Sequence, residues 1–249
     1  MRRIFALKAI YDFSGHVVLV VGAASGIGRE TALACAAVGA QVLAMDIDSE
    51  GLSTLAGGNI DTRSVDIADS GAVDSAIQDW QKQYGRIDAA VLTSAIQKRT
   101  LIDELSNAEW QRHLDVNLTG VFYLLRALFP IMKRQRSGAI VAFTSGLASA
   151  GWPGAAAYAS TKAGIIGLVK SAALELRAFG VRINAVSPGL VATPVFLKSA
   201  TDDELAMYEK SLGVSAPDEV VPSLMFLISD SAKTVSGNVF ERRLVPRAE

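Results

Sequence analysis

The chain has 249 residues, half of them apolar, and a formal net charge of −1 at pH 7. This length is enough for one large globular core, and the near-zero charge gives no reason to expect binding to nucleic acid or to an anionic membrane. The single cysteine, Cys35, excludes an internal disulfide framework and fits a reducing compartment, so we expect a cytoplasmic protein.

No segment is expected to span a membrane. The longest apolar stretch, 118–132, has about fifteen residues and carries Arg126 and Pro130, whereas a spanning helix needs roughly 20 apolar residues. Residues 1–14 are predicted to form a short N-terminal extension and not a targeting peptide.

Strand-like and helical segments alternate along the rest of the chain. Strands are predicted at 17–22, 41–46, 60–66, 87–93, 138–145, 181–187 and 238–240. Helices are predicted near 26–38, 69–84, 107–135, 156–179 and 217–229. This alternation is typical of βαβ units with helices on both faces of a parallel sheet. The sequence therefore predicts an α/β fold, a single doubly wound Rossmann-type domain over residues 15–240 with a parallel sheet of about seven strands.

A glycine-rich turn follows the first predicted strand. Gly22, Gly26 and Gly28 have the spacing G-x-x-x-G-x-G, which differs from the better-known G-x-G-x-x-G. Glycines let the backbone approach a pyrophosphate closely, and the amides at the start of the next helix attract its charge. The motif predicts a dinucleotide site, and the alternative is a tight strand-to-helix turn without a ligand.

An acidic residue ends the second predicted strand. Asp46 lies eighteen residues after Gly28, close to the interval of about 20 expected for a carboxylate that binds the ribose hydroxyls. Its charge would repel a 2′-phosphate, and residues 47–49 contain no Arg or Lys to neutralise one. The cofactor is therefore predicted to be NAD in preference to NADP.

Tyr158 and Lys162 lie four residues apart on a predicted helix, and hence on one face. A phenol has an ordinary pKa of about 10, and the ammonium beside it is expected to lower that pKa, so Tyr158 could transfer a proton. Ser145, thirteen residues upstream at the end of a strand, could hold the same substrate oxygen. Such a Tyr and Lys pair also occurs by chance on exposed helices, so the prediction depends on the other motifs.

Several candidate residues follow predicted strands directly. Because the carboxyl ends of parallel strands meet at one edge of a sheet, these residues are expected to converge there. They are Gly22, Asp46, Asp66, Ser94, Ser145 and Pro188.

With these motifs in this order, residues 14–238 resemble the short-chain dehydrogenase/reductase family. The resemblance implies a catalytic site formed by Asn117, Ser145, Tyr158 and Lys162, in which Lys162 also holds the nicotinamide ribose. It implies that Asn117 fixes a water linking Lys162 to solvent, although an Asn can also mark a local helix irregularity. The implied cofactor-binding residues are Gly22, Ser25, Gly26, Ile27, Gly28, Asp46, Asp66, Ile67, Ser94, Ala95, Tyr158, Lys162, Pro188, Gly189, Val191 and Thr193. No metal site is predicted.

Three departures from the family pattern affect the expectations. Val21 replaces the Thr that usually precedes the first glycine, and Ile96 ends the segment Thr93-Ser94-Ala95-Ile96 where the family has Asn-Asn-Ala-Gly. Residues 241–249 form an atypical C-terminal tail in place of an Asp-Gly-Gly-like end. These departures would change cofactor affinity, the substrate pocket and subunit contacts.

The resemblance implies hydride transfer between a nicotinamide cofactor and a secondary alcohol or ketone. A mostly apolar pocket wall favours a medium-sized uncharged substrate; its expected members are Leu147, Trp152, Leu190, Phe196, Leu205 and Tyr208. One alternative is a 3-oxoacyl-carrier reductase, with Arg134, Arg136 and Arg177 as candidates for a basic patch that binds an acidic carrier. The other is a catalytically impaired cofactor-binding or scaffolding relative, motivated by Val21, Ile96 and the tail.

The helix predicted at 156–179 is apolar on more faces than a helix with one buried side requires. In the resembled family this helix and the one equivalent to 107–135 commonly pair between subunits. A homodimer through these helices, or a homotetramer, is therefore expected.

Overall fold

The computed structural model describes residues 11–211 and 213–242. Most of the predicted N-terminal extension and of the predicted C-terminal tail lies outside these residues. The domain boundaries at residues 15 and 240 therefore stay predictions.

One sheet of seven parallel strands organises the fold, with the order β3-β2-β1-β4-β5-β6-β7. The strand order reverses between β1 and β4, which is where doubly wound sheets bind ligands at their carboxyl edge. The strands are β1 Val17–Val21, β2 Gln41–Asp46, β3 Ile60–Ser64, β4 Ala89–Leu92, β5 Gly138–Phe143, β6 Val181–Ser187 and β7 Val239–Glu241. The predicted fold class is confirmed.

Helices cover both faces of the sheet. They are α1 Gly26–Ala37, α2 Ser49–Ser53, α3 Ser70–Tyr84, α4 Asn107–Leu114, α5 Gly120–Gln135, α6 Leu147–Ala150, α7 Ala156–Leu176, α8 Pro194–Ser199, α9 Asp202–Ser211 and α10 Val221–Ile228. Helices α2, α6, α8 and α9 were not predicted as elements. The first three have only four to six residues, too few to show periodicity in the sequence, and the ten-residue α9 is mostly polar, with little apolar periodicity.

The helix predicted over 107–135 is interrupted. A π-helical segment, Asp115–Thr119, separates α4 from α5. One extra residue per turn rotates the side chains that follow, and such segments often occur at functional sites. Asn117 lies in the middle of this one.

The core consists of two apolar layers, one on each face of the sheet. Side chains alternate along β1, so Leu19 packs in one layer and Val18 and Val20 pack in the other. A parallel sheet buried on both faces needs such continuous apolar strands. The core thereby fixes the strand ends that carry the polar candidates.

One run of the described residues, 107–135, is long and apolar enough to cross a membrane by length and composition, and 44% of the tested window is buried in the fold. Core helices meet the same criterion, and α5 buries Leu124 and Leu128 completely. This is weak evidence for a span, so the absence of a membrane segment stays a prediction.

Candidate active site

A cleft of about 350 Å³ lies at the carboxyl edge of the sheet. The six candidate residues that follow predicted strands all line it, as expected from their positions. So does every other predicted catalytic or cofactor-binding residue except Asn117. The described residues contain no cluster of three His, Cys, Asp or Glu side chains that could hold a metal ion.

The glycine-rich turn is packed too closely for side chains. Gly22 and Gly26 have φ values of +84° and +54°, which glycine adopts readily and other residues rarely do. A β-carbon on Gly28 would collide with the carbonyl of Gly22, and one on Gly22 would collide with the hydroxyl of Thr93. Ser25, which precedes α1, makes no side-chain cap hydrogen bond. The first amides of α1 can therefore meet an anionic group, and the turn fits a dinucleotide phosphate.

Thr93 supplies the hydroxyl that Val21 lacks. Its Oγ1 donates a hydrogen bond to the carbonyl of Val21 at 2.8 Å and lies 3.3 Å from the carbonyl of Gly22. Val21 itself is fully buried in the core. Val21 and Thr93, which both depart from the family pattern, are thus joined by one hydrogen bond.

The Asp46 carboxylate binds backbone amides of two segments, the glycine-rich turn and the residues after β2. Its Oδ2 accepts a hydrogen bond from the Ala24 amide at 3.0 Å, and its Oδ1 accepts one from the Asp48 amide at 3.0 Å. The carboxylate lines the cleft with Ile47. Its position at the end of β2 fits a ribose-binding acid, and binding of the ribose stays a prediction.

Asp66 lies shortly after β3 and lines the cleft. Its Oδ1 accepts from the Ala68 amide at 2.9 Å, and its Oδ2 pairs with Arg112 at 3.2 Å. Arg112 also lines the cleft, although sequence reasoning did not select it because α4 is 41 residues or more further along the chain.

Lys162 is buried, with 2% of its surface exposed. Its Nζ donates a hydrogen bond to the carbonyl of Phe143 at 2.9 Å and lies 5.6 Å from the centre of the Tyr158 ring. Desolvation of the charged amine lowers the pKa of Lys162 to about 8. The predicted pairing of ammonium and phenol on one helix face is present.

The expected lowering of the phenol pKa is wrong for this structure. Burial raises the pKa of Tyr158 to about 12, because desolvation penalises the phenolate more than a hydrogen bond with Ser145 favours it. Tyr158 is therefore a neutral phenol near pH 7. A neutral phenol is a proton donor, which suits the reduction of a carbonyl group more than the oxidation of an alcohol.

Ser145 follows β5 and faces the cleft. Its Oγ accepts a hydrogen bond from the Leu147 amide at 3.2 Å. The hydroxyl is thus oriented by the turn into α6 while it bonds to Tyr158. Ser145, Tyr158 and Lys162 form one cluster at the centre of the cleft.

Asn117 is fully buried and lies outside the cleft lining. Its Oδ1 accepts from the Ile96 amide at 2.8 Å, and its Nδ2 donates to the Ile96 carbonyl at 2.9 Å. The side chain therefore positions the loop after β4, and the local helix irregularity is also present. The link to a water stays a prediction.

Aromatic rings form the wall at the substrate end. The ring of Tyr208 lies 6.1 Å from that of Trp152 and 6.0 Å from that of Phe196. Of the six predicted wall residues, Leu205 is the one that does not line the cleft. Gln97 and Arg99 line it instead and were not predicted.

The first residues of the predicted tail contact the loop that follows β6. Arg242 donates from its Nη1 to the carbonyl of Pro188 at 2.8 Å, and its amide donates to the carbonyl of Ser187 at 2.9 Å. An arginine in this atypical end thus supports the segment at Pro188 and Gly189 that is predicted to bind the cofactor.

Comparison with known proteins gives a consistent assignment. Residues 22–241 match the family model described as enoyl-(acyl carrier protein) reductase. The chain is 36% identical over 233 residues to the 3-oxoacyl-[acyl-carrier-protein] reductase FabG of Thermotoga maritima, covering 90% of this chain and 95% of that protein. It is 34% identical over 242 residues to D-threitol dehydrogenase of Mycolicibacterium smegmatis, with 93% of each chain covered.

A solved structure extends the comparison. The 3-ketoacyl-(acyl-carrier-protein) reductase from Brucella melitensis complexed with NADH superimposes with a TM-score of 0.87 at 26% identity, covering 92% of this chain and 97% of that one. The chain belongs to the short-chain dehydrogenase/reductase family of nicotinamide-dependent oxidoreductases.

Proposed function

We propose that this protein is an NAD(H)-dependent reductase of a medium-sized ketone, or the corresponding secondary alcohol dehydrogenase. The observation that carries the proposal is the cluster of Ser145, Tyr158 and Lys162 in the same cleft as the glycine-rich turn. One cleft would thus hold the dinucleotide at the glycine-rich turn and the substrate at Ser145 and Tyr158. Cofactor binding and proton transfer would therefore take place at the same edge of the sheet.

The cofactor supplies or accepts the hydride when it is bound. The glycine-rich turn would hold its pyrophosphate, Asp46 its adenosine ribose and Lys162 its nicotinamide ribose. Preference for NAD follows from the Asp46 carboxylate and from the absence of Arg and Lys at 47–49. Asp48 adds a second carboxylate there, which caps α2 by accepting from the Gly51 amide at 3.0 Å.

The protein itself would supply the proton. In reduction, Tyr158 donates its phenol proton to the carbonyl oxygen of the substrate, and Ser145 holds that oxygen by a hydrogen bond. A phenolate remains, which the Lys162 ammonium stabilises until a proton returns from solvent. In oxidation the same groups act in the reverse sense.

The substrate end favours an uncharged, partly apolar molecule. The rings of Trp152, Phe196 and Tyr208 provide apolar contact area. Arg99 lines the cleft, and both oxygens of Glu204 contact it at 2.6 Å. A paired guanidinium attracts an anionic substrate less than a free one does.

Reduction of a carrier-bound 3-oxoacyl group is the second candidate. The basic residues Lys133, Arg134, Arg136 and Arg177 lie near the ends of α5 and α7, and Arg136 donates to the Ala178 carbonyl at 3.1 Å. These helix ends lie at the amino ends of β5 and β6, which is the sheet edge opposite the cleft. The charge of these residues favours an acidic carrier, whereas their distance from the cleft favours a free substrate.

Activity on matched substrates separates the two candidates. We expect NADH to raise the melting temperature more than NADPH, and turnover of free ketones or short thioesters to be at least as efficient as that of the same acyl group on an acidic carrier. A strong gain from the carrier, lost in Arg136→Ala, would establish the second candidate. Cofactor binding without turnover of any ketone, alcohol or thioester would instead indicate the impaired relative.

Association between subunits is part of the proposal. Leu174 on α7 is 74% exposed and Phe122 on α5 is 44% exposed, an arrangement that a second copy could cover. We expect a homodimer or homotetramer in sedimentation experiments at micromolar concentration, and no binding to nucleic acid or membranes. A monomer would contradict the helix-pair interface. A cytoplasmic location fits the single buried cysteine.

A further inference from the structure

A strap of five residues, 96–100, runs antiparallel to α4 and the π-helical segment. Three helix residues spaced four apart each bind one of its alternate residues. The pairs are Asn117 with Ile96, His113 with Lys98, and Glu109 with Thr100. Four helical residues rise about 6 Å and two extended residues about 6.6 Å. Because these two distances are nearly equal, successive contacts stay in register and the helix holds the strap along its whole length.

The intervening residues of the strap, Gln97 and Arg99, line the cleft, as does Ile96 at its start. Alternation of side chains along an extended segment brings Gln97 and Arg99 to the same side. The strap is tied on its outer side as well, because the Thr100 amide donates to the Gly154 carbonyl at 2.9 Å. Arg99 is therefore presented to the cleft from a backbone that is fixed on both sides.

Arg99 contacts the helix that covers the substrate end. Its Nη1 lies 2.6 Å from each carboxylate oxygen of Glu204, in the first turn of α9. The same carboxylate accepts from the Trp152 indole at 3.3 Å and from the Thr201 amide at 2.9 Å. The side chains of Arg99 and Glu204 are 18% and 20% exposed, so solvent screens this ion pair less than a surface pair.

The ion pair fixes a second residue of the same helix. Tyr208 lies four residues after Glu204 and hence on the same face of α9. It is 6% exposed and packs between the rings of Trp152 and Phe196. A change in the position of Glu204 therefore moves Tyr208, which lines the cleft.

We propose that Arg99 is a positioning residue for the substrate, which holds α9 over the cleft through Glu204 and thereby sets the position of Tyr208. This inference deepens the proposed function and rests on it. The latch, defined as Arg99 with Glu204, favours substrates that fit beneath α9 and disfavours bulkier ones that require α9 to move.

The charge on Glu204 agrees with a latch. Hydrogen bonds from the Thr201 amide and from Arg99 lower the pKa of Glu204, which keeps its carboxylate charged near neutral pH. The Nε of Arg99, in contrast, is buried and has no partner among the described residues. An unsatisfied buried donor disfavours this arrangement, and the contacts of Nη1 with Glu204 oppose that cost.

Steady-state kinetics of Arg99→Gln, Glu204→Gln and the double variant test the latch. For the best ketone substrate we expect KM to rise about tenfold in each single variant, with a smaller change in kcat and an NADH Kd within about twofold of wild type. Because both changes break one contact, the double variant should resemble either single variant. Arg99→Lys, which keeps the charge, should lie between wild type and Arg99→Gln. Asp74→Asn, which removes the partner of Arg126 on a distant surface, is the matched control.

Limited proteolysis gives a readout that does not need turnover. The latch predicts faster cleavage within 200–213 in Glu204→Gln than in wild type or Asp74→Asn. If wild type shows no turnover but Glu204→Gln is still cleaved faster than wild type, the proposed function is overturned and the latch stands. Unchanged KM with an unchanged cleavage rate, or additive effects in the double variant, would overturn the latch.

Discussion

Lys162 places its ammonium 5.6 Å from the centre of the Tyr158 ring, inside the protein and beneath the cleft. Burial shifts the pKa values of the two side chains in opposite directions. Burial keeps the phenol protonated, with a pKa of about 12, and makes the lysine easier to deprotonate, with a pKa of about 8. The pair is therefore most suited to proton donation while Lys162 is still charged.

The pH dependence of reduction follows from these shifts. Below pH 8 Lys162 is protonated and can stabilise the phenolate that forms; above it the charge is lost. We expect kcat for ketone reduction to fall as pH rises through about 8. A pH profile of wild type measures this, and Lys162→Arg, which stays charged, should move the fall to higher pH. A rate that is constant from pH 7 to 10 would contradict the role of the ammonium.

Asp46 should determine the choice of cofactor. Asp46→Asn removes the negative charge and keeps the size of the side chain, so the penalty against a 2′-phosphate should decrease. We expect the ratio of the NADPH and NADH Kd values to fall about tenfold or more, measured by cofactor fluorescence. Asp69→Asn, at the N-cap of α3 outside the cleft, should leave the ratio unchanged. Equal binding of the two cofactors by wild type would refute the preference.

Thr93 should support the glycine-rich turn. Thr93→Val removes the hydrogen bond to the Val21 carbonyl and keeps the shape. A lost bond of about 0.5–1.5 kcal/mol corresponds to a roughly two- to tenfold weaker affinity for NADH. Thr93→Ser, which keeps the hydroxyl, is the control for titration of cofactor binding. If both variants bind NADH as wild type does, the turn does not depend on this hydroxyl.

Ser145 should act on the substrate oxygen and not on the cofactor. In Ser145→Ala the substrate oxygen loses a hydrogen-bond donor, and we expect kcat to fall about 100- to 1,000-fold, with NADH affinity unchanged. Ser149→Ala changes an exposed hydroxyl in the neighbouring turn, bonded to the Gly146 carbonyl, and should be silent. Equal losses in the two variants would indicate a general disturbance of α6.

The sheet and the convergence of its strand ends could be predicted from the sequence because they depend on local patterns. β1 is a continuous apolar run, and β2 is apolar from Val42 to Met45. Gly22, Gly26 and Gly28 follow β1 at positions where the packing leaves little room for a β-carbon. The ends of parallel strands then lie together by geometry.

Other features depend on contacts between distant residues. Arg99 and Glu204 are 105 positions apart and meet only after α9 closes on the strap. The hydrogen bond from Thr93 to Val21 spans 72 positions. The raised pKa of Tyr158 depends on how deeply its hydroxyl is buried, which the spacing of Tyr158 and Lys162 does not reveal.

Turnover by Tyr158→Phe tests the central claim most directly. The change removes the phenol hydroxyl and almost no volume. We predict that NADH-dependent ketone reduction falls by about 10²–10⁴-fold or more while the Kd for NADH stays within about twofold of wild type. Retention of most of the activity by Tyr158→Phe on every substrate that wild type reduces would contradict proton donation by Tyr158.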